Sequence, residues 1–167
     1  MTVGDIRRAF AKLVPAAIVA AGSLHSARAE QLVVAPGADL QARIDSAGEG
    51  DTLVLGKGEH KGPIRISRRL TIEGEPGAVL MGSGQGSVVS IAAPGSILRG
   101  LAIRGSGRDL DKMDAGVFVE RTATGAIIEK NEIDGNLYGV YLHGAPNAIA
   151  RDNVIRGLRI ARVNESG

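Results

Sequence analysis

Short runs of alternating apolar and polar residues, separated by glycine, fill most of the chain. Gln31–Val34 and Thr52–Leu55 are the first two such runs. Alternation places successive side chains on opposite faces of an extended backbone, so each run is predicted to be a β-strand. The shortness of the runs favours many small strands joined by tight turns.

One segment departs from this alternation. Between the first two strands, Leu40, Ile44 and Ala47 recur at the spacing of one face of an α-helix. We therefore predict a short helix over residues 38–47. A helix at the start of a stack of strands would cover backbone groups that the first strands leave unpaired, so we assign it a capping role.

The strand patterns repeat along the chain. One pattern consists of an aliphatic residue, then Leu or Asn, then Ile and then Gly, and it recurs every 22 to 31 residues. Its copies are Ile66-Leu70-Ile72-Gly74, Ile97-Leu101-Ile103-Gly105, Ile127-Asn131-Ile133-Gly135 and Ile149-Asn153-Ile155-Gly157. A second pattern, Gly-Val-aromatic-aliphatic, occurs at residues 116–119 and 139–142, with a weaker copy at residues 87–91. The basic period is 22–23 residues, enough for two or three short strands per turn.

These repeats predict an all-β fold for residues 30–167: a right-handed parallel β-helix, or solenoid, with a short N-terminal cap helix. Stacking the turns about 4.8 Å apart buries aliphatic rows that no single turn can bury alone. Ile103, Ile133 and Ile155 should then form one column. The pattern stops where the next strand should begin, so we expect the stack to be incomplete at its C-terminal end.

The corners of each turn are also predicted. The glycine that ends each copy of the first pattern is expected at a corner that needs a positive φ or a bulge. Asn131 and Asn153 are expected at another corner, where Asn tolerates the left-handed region and stacked amides form hydrogen bonds along the axis. A leucine-rich repeat would need a denser leucine pattern than this chain has.

The composition agrees with this fold and narrows the chemistry. Glycine accounts for 24 of the 167 residues and aromatic residues for 2%, a mixture that suits tight turns and stacked aliphatic strands. The chain has no cysteine. Disulfide bonds, zinc–thiolate sites and a thiolate nucleophile are therefore excluded for this chain.

Residues 1–29 are predicted to be a cleavable export signal. Arg7, Arg8 and Lys12 give the segment a positively charged start. The apolar run that follows, residues 13–24, is too short to span a bilayer stably. This order of regions is typical of a secretory signal rather than of an amphipathic helix.

Ala27 and Ala29 mark the expected cleavage site. Separated by one residue, they form the small-x-small pattern that signal peptidase recognises, so the mature chain is expected to begin at Glu30. The paired arginines also resemble a twin-arginine signal, but their flanking residues depart from that motif, and we favour the general secretory route. Either route predicts a periplasmic protein, and no other stretch approaches the length of a transmembrane helix.

The charge distribution argues against a nucleic-acid partner. The whole chain has a formal net charge of +2, with 20 basic and 18 acidic residues. Residues 1–29 contain four of the basic residues and one of the acidic ones, so the mature chain keeps 16 basic and 17 acidic residues. The net charge of −1 that results predicts no basic binding surface.

Several segments of the mature sequence are similar to known β-helix proteins. Residues 50–55, 62–66 and 70–79 are similar to the front of many pectate-lyase-like and carbohydrate-binding β-helices. More specific segments follow, namely residues 99–107, 113–119, 134–144 and 162–165. Together they resemble the NosD family.

That resemblance implies a function. It implies a periplasmic β-helix protein, not an enzyme and not itself membrane-spanning, that works with an ABC-type ATPase and its membrane permease. It further implies a role in assembling the copper–sulfur centre of nitrous-oxide reductase. Members of this family are longer than this chain, which agrees with the incomplete stack expected above.

Strand alternation predicts one outward-facing row with candidate functional side chains. Phe118 and Glu120 should point outward from one turn, and Tyr141 and His143 from the next. Phe118 would then stack over Tyr141, and Glu120 over His143. We predict that this row belongs to an interaction face.

The longest insertion, residues 106–115, opens beside that row. Asp109, Asp111 and Asp114 lie in it, and we include them in the predicted interaction face. Three carboxylates can bind calcium. Two basic residues in the same loop dilute the negative charge, so we prefer a solvated loop with internal ion pairs.

His143 and Met113 are the candidate copper ligands, because imidazole and thioether groups both bind copper. The alternative for His143 is a surface residue paired with Glu120. The sequence has no His-x-His motif and no methionine-rich run, so a tight copper site is not expected. No cofactor is firmly indicated, and copper is the candidate to test.

A carbohydrate-related function is the alternative hypothesis. A polysaccharide lyase or epimerase would need paired carboxylates, or carboxylates with a basic residue, facing a groove. No such pair repeats on one face of the predicted strands. A carbohydrate-binding or adhesive solenoid also stays open, and without a phosphate-binding glycine motif any ATP hydrolysis would belong to a partner.

Overall fold

The computed structural model describes residues 29–158. Short strands and one helix follow one another along this part of the chain. In order they are β1 (Gln31–Val34), α1 (Leu40–Ser46), β2 (Thr52–Leu55), β3 (Gly58–Lys61), β4 (Ile64–Ile66), β5 (Thr71–Gly74), β6 (Ala78–Met81), β7 (Val89–Ile91), β8 (Ile97–Arg99), β9 (Ala102–Arg104), β10 (Ala115–Val119), β11 (Ile127–Glu129), β12 (Glu132–Asn136), β13 (Tyr138–Leu142), β14 (Ile149–Arg151) and β15 (Val154–Gly157).

The strands form three parallel sheets that run the length of the stack. The first sheet has the order β1-β2-β5-β8-β11-β14, the second β3-β6-β9-β12-β15 and the third β4-β7-β10-β13. Each complete turn of the chain contributes one strand to each sheet; the first turn contributes only β1 and the helix α1, and the last described turn ends after β15. The predicted all-β parallel solenoid with one short helix is confirmed.

The predicted column of isoleucines is present in the second sheet. Ile133 pairs with Ile103 on one side and with Ile155 on the other. Ile103 and Ile133 are fully buried, whereas Ile155, on the last described turn, is 51% exposed. Towards the N-terminus the same column continues through Leu80 to His60, a histidine buried inside the solenoid.

The predicted alignment of residues 66–74 with residues 97–105 is wrong. Ile72 lies in the first sheet and pairs with Leu98, whereas Ile103 lies in the second sheet and pairs with Leu80. The aliphatic rows inside the three sheets look alike in sequence, and the turns differ in length. An alignment based on residue type alone therefore matched strands that belong to different sheets.

The predicted asparagine corner is confirmed. Asn131 accepts a hydrogen bond from the Leu101 backbone N–H at 3.1 Å, and its Nδ2 donates to the carbonyl of Leu98 and to Oδ1 of Asn153, both at 3.0 Å. The left-handed position is one residue earlier than expected, at Lys130, with φ of 55°. The amide therefore holds successive turns together along the axis.

The glycine corners follow the prediction only in part. Gly105 and Gly135 have positive φ values of 85° and 66°, and Gly135 lies where the register between β12 and β15 shifts. Gly74 ends β5 in the first sheet, and Gly157 pairs with Asn136 rather than with Gly135. These two glycines do not occupy the predicted corner.

The helix α1 covers the N-terminal end of the stack, as predicted. Leu40, Ile44 and Ala47 are buried in the same core as the strands. Gln41 contacts the edge strand β4: its Oε1 accepts a hydrogen bond from the Arg65 N–H at 2.8 Å, and its Nε2 donates to the Arg65 carbonyl at 3.2 Å. One side-chain amide thus takes the place of a neighbouring strand.

We expect Gln41→Ala to lower the free energy of unfolding by about 1 kcal/mol, because it removes two hydrogen bonds to a sheet edge that water then hydrates. Urea denaturation of the exported protein, followed by circular dichroism, measures the change. Gln85→Ala is the matched control, since Gln85 is an exposed loop residue, and it should change stability by less than about 0.5 kcal/mol. Equal stability of the two variants would show that Gln41 does not cap the sheet.

Within residues 29–158, no helical segment has both the length and the apolar character needed to cross a lipid bilayer.

Candidate interaction face

An aromatic stack lies on the outer face of the third sheet. Phe118 in β10 pairs directly with Tyr141 in β13, and their ring centroids are 5.5 Å apart with an interplanar angle of 18°. The His143 ring is 5.6 Å from Phe118 and 6.0 Å from Tyr141. The predicted stacking of Phe118 on Tyr141 is therefore present, and His143 extends it.

Tyr138 also belongs to this surface, although the alternation of residues along the strand does not predict it. Strict alternation groups Tyr138 with the inward-facing Val140, but its ring is 5.8 Å from that of Tyr141, tilted by 53°. The chain has only two tyrosines and two phenylalanines, so three of its four aromatic residues meet here. We call Phe118, Tyr138, Tyr141 and His143 the aromatic face.

Glu120 and His143 follow the paired residues Val119 and Leu142, as the predicted register requires, but their side chains do not form the alternative ion pair. Glu120 instead pairs with Arg65, whose Nη1 and Nη2 approach the two carboxylate oxygens, the second at 3.0 Å. Arg65 and Phe118 occupy the same outward row, with Ser90 between them. A long arginine side chain can reach a carboxylate across that gap, which residue spacing alone did not indicate.

The loop that precedes β10, residues 106–114, is held by its own contacts. Oδ1 of Asp109 accepts hydrogen bonds from the backbone N–H groups of Asp111 and Lys112, at 3.0 and 3.1 Å. The Lys112 ammonium lies 2.9 Å from Oδ2 of Asp109. Its hydrogen bond lowers the pKa of Asp109, and the same contact raises the pKa of Lys112. The preferred prediction, a loop with an internal ion pair, agrees with this geometry.

Asp114 does not lie on the predicted interaction face. It is only 4% exposed, and its Oδ2 accepts a hydrogen bond from the Asp109 N–H at 2.9 Å. A Cβ at Gly107 would overlap the Asp114 carboxylate, so this close approach needs glycine. Asp114 therefore anchors the loop, while Asp109 and Asp111 remain at the surface.

Met113 and His143 are not brought together. Met113 lies just before β10, whereas the His143 N–H bonds to the carbonyl of Val119 at the far end of that strand. The length of β10 separates them by roughly 16 Å. Within residues 29–158, no three His, Asp or Glu side chains cluster in a way that could hold a metal ion. The predicted pair of copper ligands, Met113 and His143, therefore does not form one site.

On the outer faces of the first and second sheets, acidic and basic side chains form ion pairs with one another. Glu73, Arg99, Glu129 and Arg151 follow one another along the first sheet, with contacts of 2.6 Å from Arg99 to Glu73 and 2.7 Å from Arg151 to Glu129. The hydrogen bond from Arg151, with the nearby charges of Lys130 and Arg99, lowers the pKa of Glu129.

A similar arrangement occurs on the second sheet. Glu132 lies 2.6 Å from Arg156 and 3.9 Å from Arg104. Such exposed pairs contribute little to stability. They do give each of these charged groups a partner within the chain. The third sheet differs because its outer face carries partly exposed aromatic rings in addition to the Arg65–Glu120 ion pair.

The predicted export signal, apart from Ala29, lies outside the described residues, and so do Ala27 of its cleavage site and residues 162–165. Ala29 is described and is exposed.

Comparison with known proteins gives two sequence relatives. The chain is 35% identical over 144 residues to a probable ABC transporter binding protein NosD of Pseudomonas aeruginosa, covering 86% of this chain and 32% of that protein. It is 34% identical over 113 residues to the protein of the same name from Stutzerimonas stutzeri, covering 68% of this chain and 26% of that protein. The chain thus spans about a third or less of the relatives it matches. No established family model matches it.

One solved structure is also similar. A pectin methylesterase variant in complex with a hexasaccharide aligns with a TM-score of 0.54 and 17% sequence identity, over 66% of this chain and 45% of that one. At this identity the likeness concerns the fold alone. It agrees with the parallel solenoid described above.

Proposed function

Because this chain is a homologue of the NosD proteins over 86% of its length, we propose that it is part of a periplasmic, noncatalytic accessory protein. This protein docks onto an ABC-type ATPase and permease and serves maturation of the copper–sulfur centre of nitrous-oxide reductase. In this proposal the copper–sulfur centre belongs to nitrous-oxide reductase and not to this chain. No step requires copper to be held by the described residues, whose donor groups do not cluster.

The aromatic face is the observation that carries the docking proposal. Phe118, Tyr141 and His143 form a stacked, partly exposed surface. Aromatic side chains are enriched at protein interfaces because they bury large apolar areas at a low cost in side-chain entropy. An outward stack of this kind contributes little to the solenoid's core, so a partner surface is the function it serves best.

Charged groups flank the aromatic face at both ends. At one end lies the Arg65–Glu120 ion pair, and at the other the loop with Asp109 and Lys112. An apolar centre with a charged rim is typical of specific interfaces. The charges at both ends are already paired, so the rings supply the main part of the binding energy and the rim supplies specificity.

We expect the double variant Phe118→Ala/Tyr141→Ala to weaken binding to the ABC complex at least tenfold, since interface aromatics often contribute about 2 kcal/mol each. Binding of the full-length protein to the detergent-solubilised ATPase–permease complex, measured by surface plasmon resonance, gives the dissociation constant. Circular dichroism of the variant confirms that the fold is kept.

Val33→Ala is the matched control. Val33 is an exposed aliphatic residue on the outer face of the first sheet, 73% accessible, and its loss should leave the dissociation constant unchanged. If the control and the double variant bind equally well, the aromatic face is not the docking surface. Product formation from polygalacturonate or alginate by the full-length protein would instead support the carbohydrate-active alternative.

A further inference from the structure

The predicted start of the mature chain lies against a buried carboxylate. The backbone nitrogen of Glu30 is 2.8 Å from Oδ1 of Asp51. The other oxygen, Oδ2, accepts a hydrogen bond from the Gly48 N–H at 2.7 Å. Asp51 is only 7% exposed, and among the described residues no basic side chain forms a salt bridge with it. A carboxylate in this setting lacks a counter-charge.

We propose that the new α-amino group of the processed protein supplies that counter-charge. Hydrolysis of the Ala29–Glu30 peptide bond places the hydroxyl of water on the Ala29 carbonyl carbon. The Glu30 nitrogen takes up protons and becomes an ammonium group, the main form of an α-amine at neutral pH. The hydrogen bond to Asp51 then becomes an ion pair, and signal removal stabilises the first turn of the solenoid.

The amine needs no rearrangement to form this pair, because its residue is already fixed. The Glu30 carbonyl accepts a hydrogen bond from the Thr52 N–H at 2.8 Å, which places Glu30 at the start of the first sheet. The Asp51 carbonyl accepts one from the Thr71 N–H at 2.9 Å, which ties Asp51 to the next turn. Both partners are held by backbone bonds on either side of the contact.

The surroundings leave room for the new chain end. Ala29 borders an open depression of about 390 Å³, which Gly50 and Arg69 also line. Arg69, the basic residue there, is directed to Glu49 at 3.5 Å. An ammonium group at Glu30 would therefore face Asp51 without a competing cation from Arg69, and solvent can reach its remaining protons.

The test compares two forms of the exported chain. One is processed after Ala29, and the other carries Gly-Ser inserted between Ala29 and Glu30, which moves the amine away from Asp51. Mass spectrometry of the first should give Glu30 as the N-terminal residue. We expect the insertion to raise the equilibrium constant for unfolding about tenfold, as for loss of a charge-assisted hydrogen bond.

Two substitutions separate the ion pair from other effects of an extension. In Asp51→Asn, which keeps an acceptor but loses the charge, the insertion should have little effect. Asp39→Asn is the matched control, because Asp39 also accepts a backbone N–H, from Ala42 at 3.0 Å, and there the tenfold effect should persist. If Asp51→Asn does not fold, the effect of the Gly-Ser insertion on the unfolding of the native and Asp39→Asn chains still tests the proposal.

A mature chain that begins at another residue would overturn this inference, as would an insertion that leaves the stability of the native sequence unchanged. The inference rests on the proposed export but not on docking. Loss of binding to the ABC complex would therefore leave it intact, and failure of the amine–Asp51 pair would leave the docking proposal intact.

Discussion

Replacement of Asn131 by alanine is expected to lower the free energy of unfolding by about 2–6 kcal/mol. Asn131 is 2% exposed, and its amide bonds to the Leu101 N–H and to the Leu98 carbonyl. Alanine leaves both backbone groups without a partner in a place that water does not reach. Each unpaired buried group costs about 1–3 kcal/mol, which sets the expected range.

Chemical denaturation of the exported protein measures this loss. Asn147→Gly is the matched control: Asn147 is exposed and has a φ of 55°, a conformation that glycine adopts without strain. Its stability should stay within about 0.5 kcal/mol of the native protein. If Asn131→Ala were as stable as this control, the asparagine corner would not hold the turns together.

The repeat pattern predicted the strand pairing correctly in the C-terminal part of the described chain. From Ile97 onward, offsets of 30 and 22 residues matched the true pairing, including the column through Ile103 and Ile133. Nearer the N-terminus the alignment of Ile72 with Ile103 failed, because Ile72 lies in the first sheet and pairs with Leu98. A residue pattern reports the inward or outward direction of a side chain, but it does not report to which sheet a strand belongs.

The aromatic stack could be predicted because it depends on strand register alone. Phe118 and Tyr141 are neighbours in paired strands, and alternation fixed their common face. Contacts that depend on long side chains or on loop conformation could not be predicted in this way. Arg65 reaches Glu120 from two turns away, and Asp114 folds back under its own loop.

The proposed docking function explains why the three outer surfaces differ. Charged pairs such as Arg151–Glu129 and Arg156–Glu132 cover the first two sheets with groups that satisfy one another. Surfaces of that composition resist association. The third sheet carries the Arg65–Glu120 pair and, in addition, the aromatic face, and this concentration of rings is the basis of the docking proposal.

Deletion of the gene that encodes this chain is expected to abolish nitrous-oxide reduction while leaving the reductase polypeptide synthesised and exported. The physical reason is that a noncatalytic assembly factor acts on the maturing enzyme and not on its synthesis. The native gene should restore reduction. The Phe118→Ala/Tyr141→Ala gene should not restore it, because the aromatic face is lost, and the Val33→Ala gene should restore it fully.

The most direct measurement is the copper and sulfide content of nitrous-oxide reductase purified from the deletion strain, together with its activity. The proposed function predicts an enzyme that is otherwise copper-replete but lacks its copper–sulfur cluster, and that shows no nitrous-oxide reduction. A complete cluster and normal activity in that strain would contradict it.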